Sequence, residues 1–218
     1  MKRIFIIALI ILISILTLFK VDASDSIFPL LGKTIIIDAG HGGKDFGATY
    51  DNVKESELNL IISKKIKESL ESNGAVVILT RSDYNDLSKP NALYRKKSDF
   101  DNRISLINNS HADMYLSIHM NIYQNEKYYG PQVFYYPVYE DNEKIAKTLQ
   151  DELNKFTNTN RKIKITTNTY MYPKLNVKGV LIECGFLSNY KERNNLQNEE
   201  YQKNLSKTIT TAIIKYFS

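Results

Sequence analysis

The 218-residue sequence holds three histidines and one cysteine, so each imidazole and the single thiol can be weighed by name. A lone Cys184 excludes an intrachain disulfide, a cysteine-rich zinc ribbon and an iron–sulfur cluster, all of which need several thiolates. A metal held here must therefore use His, Asp or Glu. His41 sits in the glycine-rich stretch Asp38-Ala39-Gly40-His41-Gly42-Gly43, and His119 in Ser117-Ile118-His119-Met120-Asn121. Both stretches follow apolar, β-rich runs. Glu183 ends a third such run, Val180-Leu181-Ile182, and Glu55 stands just before a helical pattern that begins near Leu58. Two neutral imidazoles and one carboxylate make the open three-ligand set of a catalytic zinc site, with a fourth position left for water. A second, unligated carboxylate can then take that water's proton. His111, in the polar turn Asn108-Asn109-Ser110-His111, has no such placement.

Such a rim requires strands that end side by side. Residues 34–38 form a continuous apolar run into the glycine-rich loop, as expected for a strand buried on both faces. Leu58, Ile61, Ile62, Ile66 and Leu70 recur at helical spacing, with Asn73-Gly74 as the stop, and residues 75–80 read as the next strand. A strand, a helix and a strand in that order imply a right-handed βαβ unit and a parallel sheet. Residues 82–97 read as a polar loop entering a helix around Phe100, Ile104 and Ile107. Further strands are expected at 114–119, 132–136, 162–167 and 180–184, and further helices at 143–156 and about 199–216. The expected fold is one α/β domain over residues 30–218, a mainly parallel mixed sheet of about six strands with helices on both faces. In such sheets ligands bind beyond the carboxyl ends of the strands, where His41, His119 and Glu183 all fall.

The N-terminus has a separate logic. Met1-Lys2-Arg3 precedes sixteen mostly apolar residues, 4–19. At ~1.5 Å per residue they span roughly 24 Å, a little short of the ~30 Å hydrocarbon core. Residues 1–23 are therefore expected to be a cleaved signal peptide or a retained membrane anchor, and either exports the remainder across the cytoplasmic membrane. Cleavage before Ser24 would remove Lys2, Arg3, Lys20 and Asp22 and lower the net charge from +5 to +3. That small excess gives no concentrated basic face, so a nucleic-acid partner is not expected, and Arg95-Lys96-Lys97 reads as a solvated helix start. Hydrophobic residues at 43% and charged residues at 24% exclude a disordered or fibrous chain.

Four stretches together resemble a known family. They are the run from Ile36 through His41 to Ala48, Lys54-Glu55 ahead of Leu58-Asn59-Leu60, Ser117-Ile118-His119-Met120-Asn121, and Glu183-Cys184-Gly185-Phe186-Leu187-Ser188-Asn189. In order and in content they are similar to the zinc-dependent N-acetylmuramoyl-L-alanine amidases of the Amidase_3 type. The resemblance covers essentially all of residues 33–217. It implies one zinc ion per chain held by His41, Glu55 and His119, with Glu183 as the catalytic carboxylate and Glu57 as a neighbouring competitor for the ligand role. It implies hydrolysis of the amide between N-acetylmuramic acid and the L-alanine of the stem peptide in peptidoglycan, in the cell wall or the forespore intermembrane space. Arg95-Lys96-Lys97-Ser98, Asp101-Asn102-Arg103 and the 130–137 segment are closest to members that act on spore-cortex peptidoglycan, where the cut prepares muramic δ-lactam. Asn121 is a candidate for substrate binding or for orienting His119, and the tyrosines of 123–129 for lining a glycan groove. Relatives used in cell separation carry a zinc-occluding inserted helix and a wall-binding domain. This sequence has room for neither, which leaves open control by a separate sporulation activator protein.

Two other readings compete. Cys184 could serve as the nucleophile of a cell-wall cysteine peptidase with a histidine as base, although a strand end is a poor place to activate a thiolate. A wall-binding module that had lost catalysis would lack a ligand or the carboxylate, and none is missing.

Overall fold

The computed structural model describes residues 27–166 and 170–218. The expected apolar leader at 4–19 lies outside these residues. Among the described residues no helix is long and apolar enough to cross a membrane.

The chain alternates strands and helices as the hydrophobic spacing requires. It runs β1 (Thr34–Ala39), a small hairpin of β2 (Thr49–Tyr50) and β3 (Val53–Lys54), α1 (Glu55–Glu71), β4 (Val76–Leu79), α2 (Arg95–Asn109), β5 (Met114–Asn121) and β6 (Gln132–Tyr135). There follow α3 (Glu140–Thr157), β7 (Lys164–Ile165), a 3-10 turn (Tyr172–Lys174), β8 (Gly179–Phe186), α4 (Tyr190–Gln197) and α5 (Glu199–Phe217). Six strands form one sheet in the order β4-β1-β5-β8-β6-β7. β4, β1, β5 and β8 are parallel, β6 runs antiparallel to β8, and β7 is parallel to β6. The expected single α/β domain with a mainly parallel mixed sheet is what forms.

Alternation within β1 shows how the sheet is covered. Ile35 and Ile37 face a core shared with α1, α3, α4 and α5, to which Ile62, Leu149, Leu196 and Ile209 contribute. Ile36 faces the other way, against Ile107 of α2 and Tyr172 and Leu175 of the 3-10 turn. Side chains of period 2 on the strands meet side chains of period 3.6 on the helices, and both faces are dry.

Three details depart from expectation. α1 starts at Glu55 itself rather than near Leu58, because the 46–48 loop supplies partners for its first amides. Glu55 N–H donates to Ala48 O at 2.9 Å and Ser56 N–H to Phe46 O at 3.1 Å. The strand expected at 162–167 shrinks to Lys164–Ile165, an exposed two-residue edge in which side-chain burial rewards nothing further. The β2–β3 hairpin and α4 have no periodic apolar signal. α4 rests instead on its cap, with Asn189 accepting from the Glu192 amide at 3.1 Å.

Candidate metal centre

β1 and β5 are adjacent and parallel, so their carboxyl ends emerge together and carry His41 and His119 to one rim. His41 adopts a left-handed backbone, φ 60°, which turns its ring back across the end of the sheet. The first residue of α1 arrives from the opposite side. Glu55 Oε1 lies 3.3 Å from His41 Nε2 and 2.9 Å from His119 Nδ1. One donor atom from each of the three residues falls within 4.8 Å of the others. The two imidazoles are about one-fifth exposed and the Glu55 side chain only 5%, so the cluster is open on the histidine side alone.

The donor set suits a divalent metal, and its surroundings orient it. His41 Nδ1 is 3.0 Å from Asp45 Oδ2, which leaves Nε2 directed at Glu55. A carboxylate behind a ligating imidazole fixes its tautomer and raises its basicity. Glu55 Oε2 accepts from Ala48 N–H at 2.7 Å, and Oε1 from Met120 N–H at 3.1 Å and from Asn59 Nδ2 at 3.3 Å. Burial alone would raise the Glu55 carboxyl, but hydrogen bonds and attraction from both imidazoles hold it well below the usual carboxylate range. Burial also opposes protonation of His41, and Glu55 and Asp45 outweigh it and raise its pKa. An anionic glutamate between two imidazoles offers one negative charge and two neutral lone pairs to a dication, which would displace the protons they share.

Glu183 lies on β8 directly across from His119 in the parallel register. Its Oε2 is shielded from solvent and has no hydrogen-bond partner. Burial, with Glu55 adding to it and the imidazoles opposing it, pushes the carboxyl up to about 7. Asn121 ends β5, where its carbonyl accepts from Leu187 N–H at 2.8 Å after a register shift that opposes it to Phe186. The other candidates fall away from the site. Glu57 is half exposed and paired with Lys54 at 2.9 Å. His111 is exposed in the turn before β5, at the opposite end of the sheet. Cys184 points into the core shared with α4 and α5, fully buried, and its thiol is pushed well up by burial and then by Glu183. That thiol can be neither reached nor readily ionised, which removes the cysteine-peptidase reading.

Asp38 and Arg103 stand in separate motif stretches of the sequence, and the fold joins them in a buried polar layer beneath the rim. Arg103 of α2, 1% exposed, donates to Asp38 Oδ1 at 2.6 Å, to Asp99 Oδ2 at 2.9 Å, and to the carbonyls of Ala39 and His41 at 2.8 and 2.6 Å. Asp38 is completed by Thr80 and Ser117 hydroxyls, each at 2.9 Å. The signal was available only as position: Asp38 ends β1, and Arg103 lies four residues after Asp99 on one helix face.

Close packing also explains a glycine. A Cβ at Gly40 would sit inside the van der Waals surface of the His119 ring, touching Cε1 and Nε2. Gly40→Ala is therefore expected to rotate His119 out of register with Glu55 and lower metal affinity at least tenfold in a folded protein. Chelator competition measures this, and a Gly40→Ala chain that binds metal like the native one would contradict it.

A parallel α/β sheet whose rim gathers a His-Glu-His donor set beside a desolvated carboxylate is the layout of a metallohydrolase. The chain belongs to the N-acetylmuramoyl-L-alanine amidase family, Amidase_3, whose pattern it matches over residues 35–215. It is 40% identical over 194 residues to the germination-specific N-acetylmuramoyl-L-alanine amidase of Bacillus subtilis strain 168, covering 87% of this chain and 82% of that one. Among solved structures, the CwlD amidase of Clostridioides difficile in complex with the GerS lipoprotein superposes with a TM-score of 0.80 at 41% identity, over 85% of this chain and 98% of that one. The catalytic domain of CwlV from Bacillus (Paenibacillus) polymyxa var. colistinus gives 0.73 at 29% identity, over 84% and 97%. The chain is thus an N-acetylmuramoyl-L-alanine amidase acting on peptidoglycan, and a cell-wall substrate places its work outside the cytoplasm. The reading as a wall-binding module without catalysis is set aside.

Proposed function

We propose that the chain is a zinc amidase of spore-cortex maturation, with His41, Glu55 and His119 as the zinc ligands and Glu183 as the general base and acid. Zinc suits two imidazoles and one carboxylate, and when bound it supplies Lewis-acid polarisation of the scissile carbonyl and of the attacking water. The observation that carries the role of Glu183 is its orphaned, desolvated Oε2 next to His119. Burial raises the carboxyl in the metal-free protein, and a desolvated carboxyl without a fixed partner is free to take a proton from water and return it. Glu183 accepts the water's proton and delivers it to the departing alanine nitrogen, which leaves poorly as an anion. Asn121, half-buried at the same rim, is assigned to holding the substrate, which its location beside His119 and Glu183 supports.

Beyond β5 and β8 the surface fits a glycan strand with an attached peptide. Tyr123 and Tyr128 are largely exposed, with ring centroids 4.6 Å apart, and the Arg161 guanidinium lies 4.8 Å above the Phe186 ring. A separate cleft of about 560 Å³, lined by Tyr129, Phe156, Asn158, Asn189, Lys191 and Tyr201, includes none of His41, Glu55, His119 and Glu183. Residues 1–23 act as export signal or anchor, and 30–218 as the catalytic domain. The germination-specific relative and the relative in complex with the GerS lipoprotein support a germination role and a lipoprotein partner, and the cortex substrate and the activating role of that partner are the further step of this proposal. Incubation of purified cortex peptidoglycan with the chain from Ser24 onward should release intact stem peptides and leave peptide-free muramic acid by mass analysis, only when zinc is present. Cleavage within the stem peptide, or release that survives chelation, would overturn this reading.

A further inference from the structure

Two of the three ligand-bearing segments are tied together at a single atom. The carbonyl oxygen of Gly40, the residue before His41, accepts from Asn59 Nδ2 at 3.1 Å and from Arg81 Nη2 at 2.9 Å. Each donor nitrogen also reaches the helix that begins at Glu55. Asn59 Nδ2 lies 3.3 Å from Glu55 Oε1, and Arg81 Nη2 donates to Ser56 O at 2.7 Å. Arg81 Nε adds a bond to Ala39 O at 2.9 Å. Asn59 is fully buried and Arg81 is 5% exposed.

We propose that Asn59 and Arg81 are positioning residues of the metal centre, joining the His41 loop to the N-terminus of α1 and thereby fixing the approach of His41 to Glu55. Neither residue needs to touch the metal. The orientation of the Asn59 amide follows from its neighbours, because a flipped amide would aim its oxygen at both Glu55 Oε1 and Gly40 O. In the orientation adopted, Asn59 Oδ1 is buried without a partner. A buried oxygen is left unsatisfied while both N–H bonds are kept, which is the trade expected where the two donated bonds matter more than the oxygen. Arg81 is equally unusual, since its short contacts are to main-chain carbonyls rather than to a carboxylate. Burial and the nearby Arg103 lower its pKa only to about 10, so it remains a cation at neutral pH. A planar fork of five donors can reach Ala39, Gly40 and Ser56 together, which the single ammonium of lysine cannot. Sequence spacing is consistent with the role, as Asn59 lies one helical turn after Glu55 and faces the same way.

The inference rests on the reading of His41, Glu55 and His119 as ligands, and the test separates the two. Zinc affinity of the full chain is measured by competition with a chromophoric chelator for the native protein, Asn59→Ala, Asn59→Asp and Arg81→Lys, with circular dichroism to confirm folding. The visible spectrum of the cobalt-loaded forms reports ligand geometry. Loss of zinc affinity by 10- to 100-fold in Asn59→Ala and Arg81→Lys, with shifted cobalt bands, is the expected result. Asn59→Asp, nearly the same shape without the donors, should lose at least as much. Folded Asn59→Ala and Arg81→Lys chains with zinc affinity and cobalt bands within twofold of native would overturn the proposal, even if they melt earlier, because a merely structural role moves stability alone. If Arg81→Lys fails to fold, the two Asn59 variants decide the outcome. A native chain that binds no zinc would instead refute the ligand reading.

Discussion

Glu183→Gln is expected to lower kcat by about 10²–10⁴-fold while zinc remains bound at one ion per chain. The amide keeps the shape of the carboxyl, does not belong to the His-Glu-His donor set and cannot accept a proton from water. Because the lost interaction is with the transferring proton, the fall should appear in kcat far more than in KM. The same substitution should stabilise the metal-free chain, with a sign that follows from the carboxyl's environment. Its folded pKa of about 7 exceeds the ordinary 4.5, so the native state holds a proton that the unfolded state has lost between those values. Stability therefore falls as pH rises from about 4.5 to 7 and stays reduced above that, by up to about 3 kcal/mol for one such group. Glutamine has no charge to bury. Melting of metal-free Glu183→Gln should exceed native by several degrees at pH 8 and match it near pH 4, where both side chains are neutral. Zinc loss in Glu183→Gln equal to that of the histidine variants would show Glu183 to be a ligand. A native-like melting temperature at pH 8 would show that the carboxyl is not held desolvated.

What the sequence made legible and what it hid divide along a physical line. β1, β5 and β8 are short apolar runs bounded by turn residues, as expected of strands buried on both faces, and their ends carry His41, His119 and Glu183, so pattern offered the rim while the family resemblance gave its residues their roles. α1 was equally legible in Leu58, Ile62, Ile66 and Leu70, yet its first turn was not. Helical periodicity needs apolar residues to register, and Glu55 and Ser56 are held by loop carbonyls of Ala48 and Phe46 that lie close only after folding. Asn59 belonged to a stretch that carries the family resemblance, yet its burial, like that of Arg81, was hidden for a related reason. A polar side chain in a helix or at a strand end is ordinarily solvated, and nothing in its spacing says that it will be buried against Gly40 O. The Asp38–Arg103 pair is 65 positions apart, and α4 rests on a cap rather than on a stripe. Local pattern encodes strands, helix interiors and the residues at strand ends. Polar contacts between segments distant in sequence become readable only in the assembled fold.

His41→Ala and His119→Ala should each abolish both zinc binding and turnover, whereas His111→Ala should change neither. With one imidazole gone, two donors remain, too few for the closed side of a tetrahedral site. The metal-free protein should also respond, because Glu55 is 3% exposed and each imidazole holds it anionic. Loss of His119 removes the 2.9 Å partner and raises the Glu55 pKa towards the ordinary carboxylate value, so the variant should lose, at pH values where the carboxylate is ionised, part of the stability that the native chain draws from its depressed pKa. Zinc titration followed by thermal unfolding tests these points together. A ligand that binds only the folded state stabilises it by about 2.7 kcal/mol at one hundred times its Kd. For a chain of this size that is a rise of several degrees in the native protein and in His111→Ala, and none in His41→Ala or His119→Ala. An undiminished zinc-dependent shift in either of those two, or its loss in His111→Ala, would place the metal elsewhere. Equal behaviour of His41→Ala and His119→Ala has a further consequence for Asp45. It lies 3.0 Å from His41 Nδ1 and contacts His41 alone of the two rings, so Asp45→Asn should weaken zinc less than either histidine variant while leaving Glu55 and His119 paired.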